Sequence, residues 1–339
     1  MFLNTGLALF AAFHLLALAS GYGWLDAHPR SPGGWAAAHL LVLGWATMTA
    51  MGAAYQLLHV VLQTKLHSEG LAYVHYAVYA LGTVGLVLAF RAFSPAAITA
   101  FGALAACGIA LFAWNLARTL LRARQWNTVT LSTAGALACL VLAALIGVAM
   151  GASFWLGAGS ALHARLFTAH LWFGAIGWFG LLITGYTYKL LPMFYLAHGY
   201  PRRLEGVVLL LWSAAVLALL VAVFFPQAVS IPRAAHLAGA AYLWGWVGFT
   251  ILGYLSKIVP FLWWTHKYGP KVGKEPVPSL AELLNDRLAG RTLAVMALAF
   301  LLFMAALAAG WIPLAKASGM VLSLAALGYT ILLAKTFTK

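Results

Sequence analysis

Apolar residues run along this chain in long stretches, each closed by a short polar or Pro/Gly-rich break. A helix needs about 20 apolar residues to cross the hydrocarbon of a bilayer. Ten stretches meet that length: 2–23, 35–62, 71–92, 95–120, 129–150, 162–195, 204–225, 232–264, 291–309 and 312–335. The sixth and eighth are long, which predicts tilt or extension past the interface. The breaks carry turn chemistry, as in His28-Pro29-Arg30-Ser31-Pro32-Gly33-Gly34, Ser94-Pro95 and Gly199-Tyr200-Pro201. A longer polar segment, 266–290, contains Ser279-Leu280-Ala281-Glu282, the pattern of a capping box, and predicts a short surface helix. The expected fold is all-α, a polytopic membrane bundle of about ten spans, with 1–339 as one integral membrane domain.

Composition excludes a soluble class. The chain is 64% hydrophobic and 8% charged, with mean hydropathy +0.93, against about 45–50% apolar and about 25% charged in soluble domains. Its net charge of +14 then reads as loops facing anionic lipid rather than nucleic acid. With ten spans the termini share a side. Of the 20 Lys and Arg, five (Arg30, Arg91, Arg165, Arg233 and Lys316) fall on the other side, so the positive-inside rule places both termini in the cytoplasm of a bacterial-type inner membrane. Phe2 to Trp24 lacks a cationic n-region and a small-residue cleavage site, and is expected to be a retained first helix. Cys107 and Cys139 lie inside apolar spans without partner spacing, so neither a disulfide framework nor a thiolate metal site is indicated.

Three spans repeat one another. Aligned on Gly44-Trp45, Gly177-Trp178 and Gly245-Trp246, the second, sixth and eighth carry another glycine eight residues on (Gly52, Gly185, Gly253). Gln56, Lys189 and Lys257 stand at the twelfth position, and His59, Pro192 and Pro260 at the fifteenth. Each repeat is preceded by His-Leu, at His39, His170 and His236. At about 1.5 Å per residue these histidines, with His14 on the first span, fall in one layer of the outer leaflet. An ionisable residue within the membrane is a functional-site hypothesis; the alternative for any single one is an imidazole bonded to a neighbouring hydroxyl or carbonyl. At about 100° per residue, His39 and His236 point to within about 40° of each other in the repeat frame, and His170 to the opposite side.

These repeated downward helices with histidines near their outer ends resemble heme–copper oxidase subunit I, which also has a cytoplasmic N-terminus and a quasi-threefold arrangement. The resemblance covers the helices to about residue 265 and is topological. It implies His39 and His236 as the axial pair of a heme b, His170 at a copper position, and Arg165, Arg233 and Arg30, with Arg91, as partners of the heme propionates. The sequence departs from that family where a three-His copper site and a second heme would be built. The seventh span has no histidine pair, His236 is followed by Leu237-Ala238 instead of a second histidine, and His170 is followed by Leu171-Trp172-Phe173-Gly174 without the usual glutamate and tyrosine. The chain is closer to small subunit I-like proteins, or to the NnrS-type membrane heme proteins linked to nitric oxide stress.

Near the cytoplasmic side lie His59, His67, His75, His198 and His266 with Tyr55, Tyr188, Lys189 and Lys257. Interfacial anchoring accounts for such residues; the sharper reading is that His59 and His75, on adjacent helices, bind a quinone head group or a second metal. All six acidic residues fall in loops or at span ends, which disfavours proton pumping and Na⁺ coupling. Two functions follow. One is a membrane heme protein acting in electron transfer, with a quinol or a cytochrome as donor, or in handling a diatomic gas such as nitric oxide. The other is a heme or copper transporter or chaperone with a histidine-lined path, in which copper ranks lower because no Met-x-x-Met or Cys-x-x-Cys motif is present. The lipid bilayer is the expected partner, with a homo-oligomer compatible.

Overall fold

A computed structural model describes residues 1–26, 31–62, 64–123, 126–157, 160–195, 201–224 and 233–339, without the side chains of 58–62, 160–162, 164, 202, 218–224 and 233–236. The helices are α1 (Phe2–Ala19), α2 (Pro32–His39), α3 (Met48–Leu62), α4 (Glu69–Ala92), α5 (Pro95–Leu120), α6 (Thr128–Trp155), α7 (Ser160–Trp172), α8 (Leu181–Tyr195) and α9 (Arg202–Phe224). They continue with α10 (Arg233–Ala240), α11 (Phe249–Lys267), α12 (Leu280–Leu283), α13 (Asp286–Ala309) and α14 (Ile312–Ala334). Among the described residues nine helices are long and apolar enough to cross a membrane. The protein is a polytopic membrane bundle. Nine of the ten expected spans coincide with these helices, and the remaining one, 204–225, coincides with α9, whose last side chains lie outside the described residues.

Three helices are interrupted by π-helical turns: π1 (Leu40–Thr47) joins α2 to α3, π2 (Phe173–Gly180) joins α7 to α8, and π3 (Ala241–Gly248) joins α10 to α11. Each begins four residues before the glycine of its Gly-Trp pair and ends three after it. The repeat in the sequence is therefore a repeat of backbone conformation. Wide i→i+5 turns are rare and concentrate at functional sites. Helix boundaries elsewhere follow local chemistry: Ser68, Ser94 and Asn127 accept backbone N–H bonds at the starts of α4, α5 and α6. At α12, the Ser279 N–H donates to the Glu282 carboxylate at 3.1 Å, and the exposed Glu282 carboxyl is held below its ordinary range first by the Ser279 hydroxyl and then by that N–H.

Two compact units divide the chain. Unit 1 holds residues 1–2 and 35–231, and unit 2 holds residues 3–34 and 232–339. In unit 1, α4 packs on α5, α5 on α6, and α6 on α7, π2 and α8. Close approach of α4 to α5 needs Gly108, where a Cβ would meet the Tyr79 backbone and Cβ at 2.7 Å. A core of Ala36, Leu86, Ala89, Phe90 and Ile98 lies beside Trp35 and Leu43. In unit 2, α13 and α14 form a hairpin, α10 and α11 pack on α13, and the Tyr329 hydroxyl donates to the Leu252 carbonyl at 2.5 Å.

Candidate functional site

His39 ends α2, immediately before π1, and His170 lies on α7, three residues before π2. The structure brings their rings together in unit 1: the centroids are 6.2 Å apart and the planes differ by 23°. Each Nδ1 lies 2.8 Å from a backbone carbonyl, His39 from Trp35 O and His170 from Ala143 O. A carbonyl only accepts, so both Nδ1 atoms carry the proton and both Nε2 atoms present a lone pair. That is the arrangement of a metal-ligating histidine, whose second nitrogen donates to an oxygen that fixes tautomer and ring orientation. Among the described residues no hydrogen bond reaches either Nε2, and both side chains are only half-buried although they lie deep among the helices.

Neighbouring helices position these rings. Phe90 of α4 packs on His39 with centroids 4.7 Å apart, and Trp35 in turn lies 5.9 Å from Phe90. His170 docks on α6 where Gly147 leaves the backbone bare; a Cβ there would stand 3.0 Å from its Cε1 and 3.3 Å from its Nδ1. Sequence reasoning missed Trp35, Phe90, Ala143 and Gly147, because a small residue on one apolar helix carries no mark of the ring it receives from another.

The repeat frame put His170 on the opposite side from His39, and its pairing with His39 was not expected. The π-turns start at the same point of each repeat and leave that comparison unchanged; the frame gives a direction on each helix, and only the packing of the helices decides which sides face each other. His236 lies on α10 in unit 2, but its side chain, like that of Arg233, is outside the described residues, as is Arg30 entirely. The backbone of His59 lies on α3 and its side chain is outside the described residues. Arg165 is exposed on α7, five residues before His170.

His14 and His75 are fully buried. His14 Nδ1 lies 2.8 Å from Ser323 Oγ, which also bonds the Tyr22 hydroxyl at 2.6 Å. Its sealed Nε2 has no hydrogen-bond partner, but Phe10, Phe13 and Trp244 stand nearly perpendicular to the ring at 4.5, 5.1 and 5.8 Å. Such edge-to-face contacts account for a packed imidazole. His75 Nδ1 lies 3.2 Å from the Tyr55 hydroxyl, and its buried Nε2 has no hydrogen-bond partner. Among the described residues no group of three or more His, Cys, Asp or Glu side chains is placed to hold a metal ion. No family model matches the chain, and no curated protein is significantly similar to it. Its class is set by its fold, a polytopic helical membrane protein with a paired-histidine site in one unit.

Proposed function

We propose that this protein is a membrane heme protein in which His39 and His170 hold one heme iron between them. The observation that supports this is the pair of near-parallel imidazoles with centroids 6.2 Å apart and both Nδ1–H groups committed to carbonyls. Two imidazoles that share one metal ion through bonds of about 2.0–2.1 Å would bring their centroids to within about 6 Å of each other, and His39 and His170 would be the residues to hold it. The donor set is short for a bare ion, since two imidazoles complete no tetrahedral site. A porphyrin supplies the four further nitrogens itself.

A heme held by His39 and His170 would supply reversible one-electron transfer. The residues of this chain do the rest. Trp35 and Ala143 carbonyls hold the ligand tautomers, Gly147 and Phe90 set the ring positions, and Arg165 is a candidate partner for a propionate. This pairing departs from the oxidase-like assignment of His39 with His236 and of His170 with copper. The finer features proposed with it are a heme b in the outer leaflet, an inner membrane with both termini in the cytoplasm, and electron transfer or the handling of a gas such as nitric oxide.

An absorption spectrum of the purified chain, oxidised and dithionite-reduced, tests the reading. A sharp reduced α-band that is lost in His39→Ala and His170→Ala, and kept in His236→Ala, is expected. Loss in His236→Ala with retention in His170→Ala would restore the oxidase-like pairing; iron-free, colourless protein made with ample heme sinks both. A histidine-lined transport path is less well supported, because the Nε2 atoms of His14 and His75 are sealed.

A further inference from the structure

His39 and His170 present the same nitrogen to the site, but they are held in different ways. His170 is held by another helix. Its Nδ1–H donates to Ala143 O of α6 at 2.8 Å, and Gly147, one turn further along α6, leaves the hollow in which the ring lies. α7 itself packs along α6, and His170 stands inside α7, two residues before its end. The His170 ring cannot turn out of the site without breaking its bond to α6 and leaving that hollow.

His39 is held by its own helix. Its Nδ1–H donates at 2.8 Å to Trp35 O, four residues back in α2. Among the described residues no hydrogen bond joins its side chain to another helix. What it meets on α4 is the Phe90 ring, with centroids 4.7 Å apart and planes 36° apart. α2 rests on its neighbours through Ala36 and Trp35 against Leu86, Phe90 and Ile98, apolar contacts that have no direction to lose. Ring and acceptor thus belong to one eight-residue helix, and His39 is the residue at which that helix changes to the wider winding of π1. A shift of α2 carries the hydrogen bond along with the ring. Detaching His39 therefore spares one hydrogen bond that detaching His170 breaks, a difference of up to about tenfold in an equilibrium.

The surroundings of His39 set what could replace it. Trp35, Leu43 and Phe90 make that side apolar, so an anionic ligand would lose its hydration there without compensation. A small neutral ligand for reduced heme iron is a diatomic gas. Both imidazoles are half-buried, so the pair is within reach from outside the helices. We propose that His39 is the exchangeable member of the pair and His170 the permanent one, so that a neutral diatomic gas takes the place of the His39 imidazole on the reduced heme. The step is an exchange of ligands: the bond from His39 Nε2 opens, the bond to the gas forms, and no electron or proton moves. The inference rests on the heme reading and gives that site its ligand class and the residue that yields to it.

The experiment is a titration of the dithionite-reduced full chain, in lipid nanodiscs, with carbon monoxide, followed by absorption and by rebinding after a laser flash. Carbon monoxide should shift the Soret band of the unaltered chain, and the rebinding rate should level off at high gas concentration because His39 must leave first. His39→Ala should keep its heme without the sharp α-band, and bind carbon monoxide about tenfold more tightly or better. Its rebinding rate should rise linearly with the gas. His170→Ala should lose most of its heme. Phe90→Leu, which removes the ring packed on His39, should tighten binding several-fold and covers the case in which His39→Ala fails to fold. A paired-histidine band that saturating carbon monoxide leaves unchanged would overturn the proposal and leave the heme reading standing. Tighter binding in His170→Ala instead of His39→Ala, or unchanged affinity in both His39→Ala and Phe90→Leu, would also overturn it. Iron-free, colourless protein would overturn the heme reading and this proposal together.

Discussion

At the scale of single residues, the protein is governed by which nitrogen of a histidine is left over. His39 and His170 give Nδ1–H to carbonyls and keep a lone pair, whereas His75 Nδ1 meets the Tyr55 hydroxyl, which can give or take the hydrogen. Three imidazoles that look alike in the sequence thus differ in chemistry. The glycines beside them are as specific. Gly147→Ala places a methyl 3.0 Å from the His170 ring, so the ring must shift by a few tenths of an ångström. We expect the variant to fold, with its heme bound but the reduced band shifted or broadened, since ligand geometry is sensitive at about 0.5 Å. Gly319→Ala is a different case. Its Cβ would stand 2.6 Å from Cε1 of Tyr22, which is buried and held at a left-handed φ of 57°. Thermal unfolding should show a loss of about 1–3 kcal/mol, the cost of overpacking, with no change at His39 or His170.

At the scale of elements, the π-turns decide what each repeated helix presents. Each inserts wide turns between a histidine and the Gly-Trp that follows, so the two ends of the span are out of ordinary helical register. Deleting one residue within π1, such as Ala46, should let the segment relax to an α-helix. His39 would then keep nearly its present direction against α3, because the wider turns hold more residues per turn than the 3.6 of an α-helix, and the paired-histidine spectrum should be shifted and not lost, with helix content by circular dichroism kept. The polar segment before α13 answers to pH instead. The lowered carboxyl of Glu282 means that its bond to Ser279 is fully present above the ordinary glutamate range, about 4.3, and is lost as pH falls through the folded value. Amide exchange over 280–283 should quicken in acid, and in Glu282→Ala at neutral pH. Retained protection in either condition would refute the capping role.

At the scale of the whole molecule, the nine apolar helices among the described residues, with α9, make a polytopic membrane bundle. The charge bias of the loops predicts both termini in the cytoplasm. A C-terminal green fluorescent protein fusion should fluoresce in a bacterial host, and a C-terminal alkaline phosphatase fusion should be inactive; the reverse pattern would put the C-terminus outside and refute the orientation.

What the sequence determined by itself is what lipid enforces residue by residue. Span lengths, polar breaks and the threefold Gly-Trp repeat are set by the need to bury backbone and exclude charge over a fixed thickness, and all were legible in one dimension. That His39 and His170 come to one level was legible for the same reason, since height follows from rise per residue. Their pairing was not. Azimuth along a helix gives the side on which a histidine stands, but not which neighbouring helix faces that side. Tertiary structure alone decided that His170 meets His39, that Gly147 and Ala143 on another helix receive it, and that Asn115 reaches across to the Ser68 peptide and the Tyr55 hydroxyl. Those contacts join residues far apart in the chain, through small and apolar side chains whose types carry no signal until two helices are laid side by side.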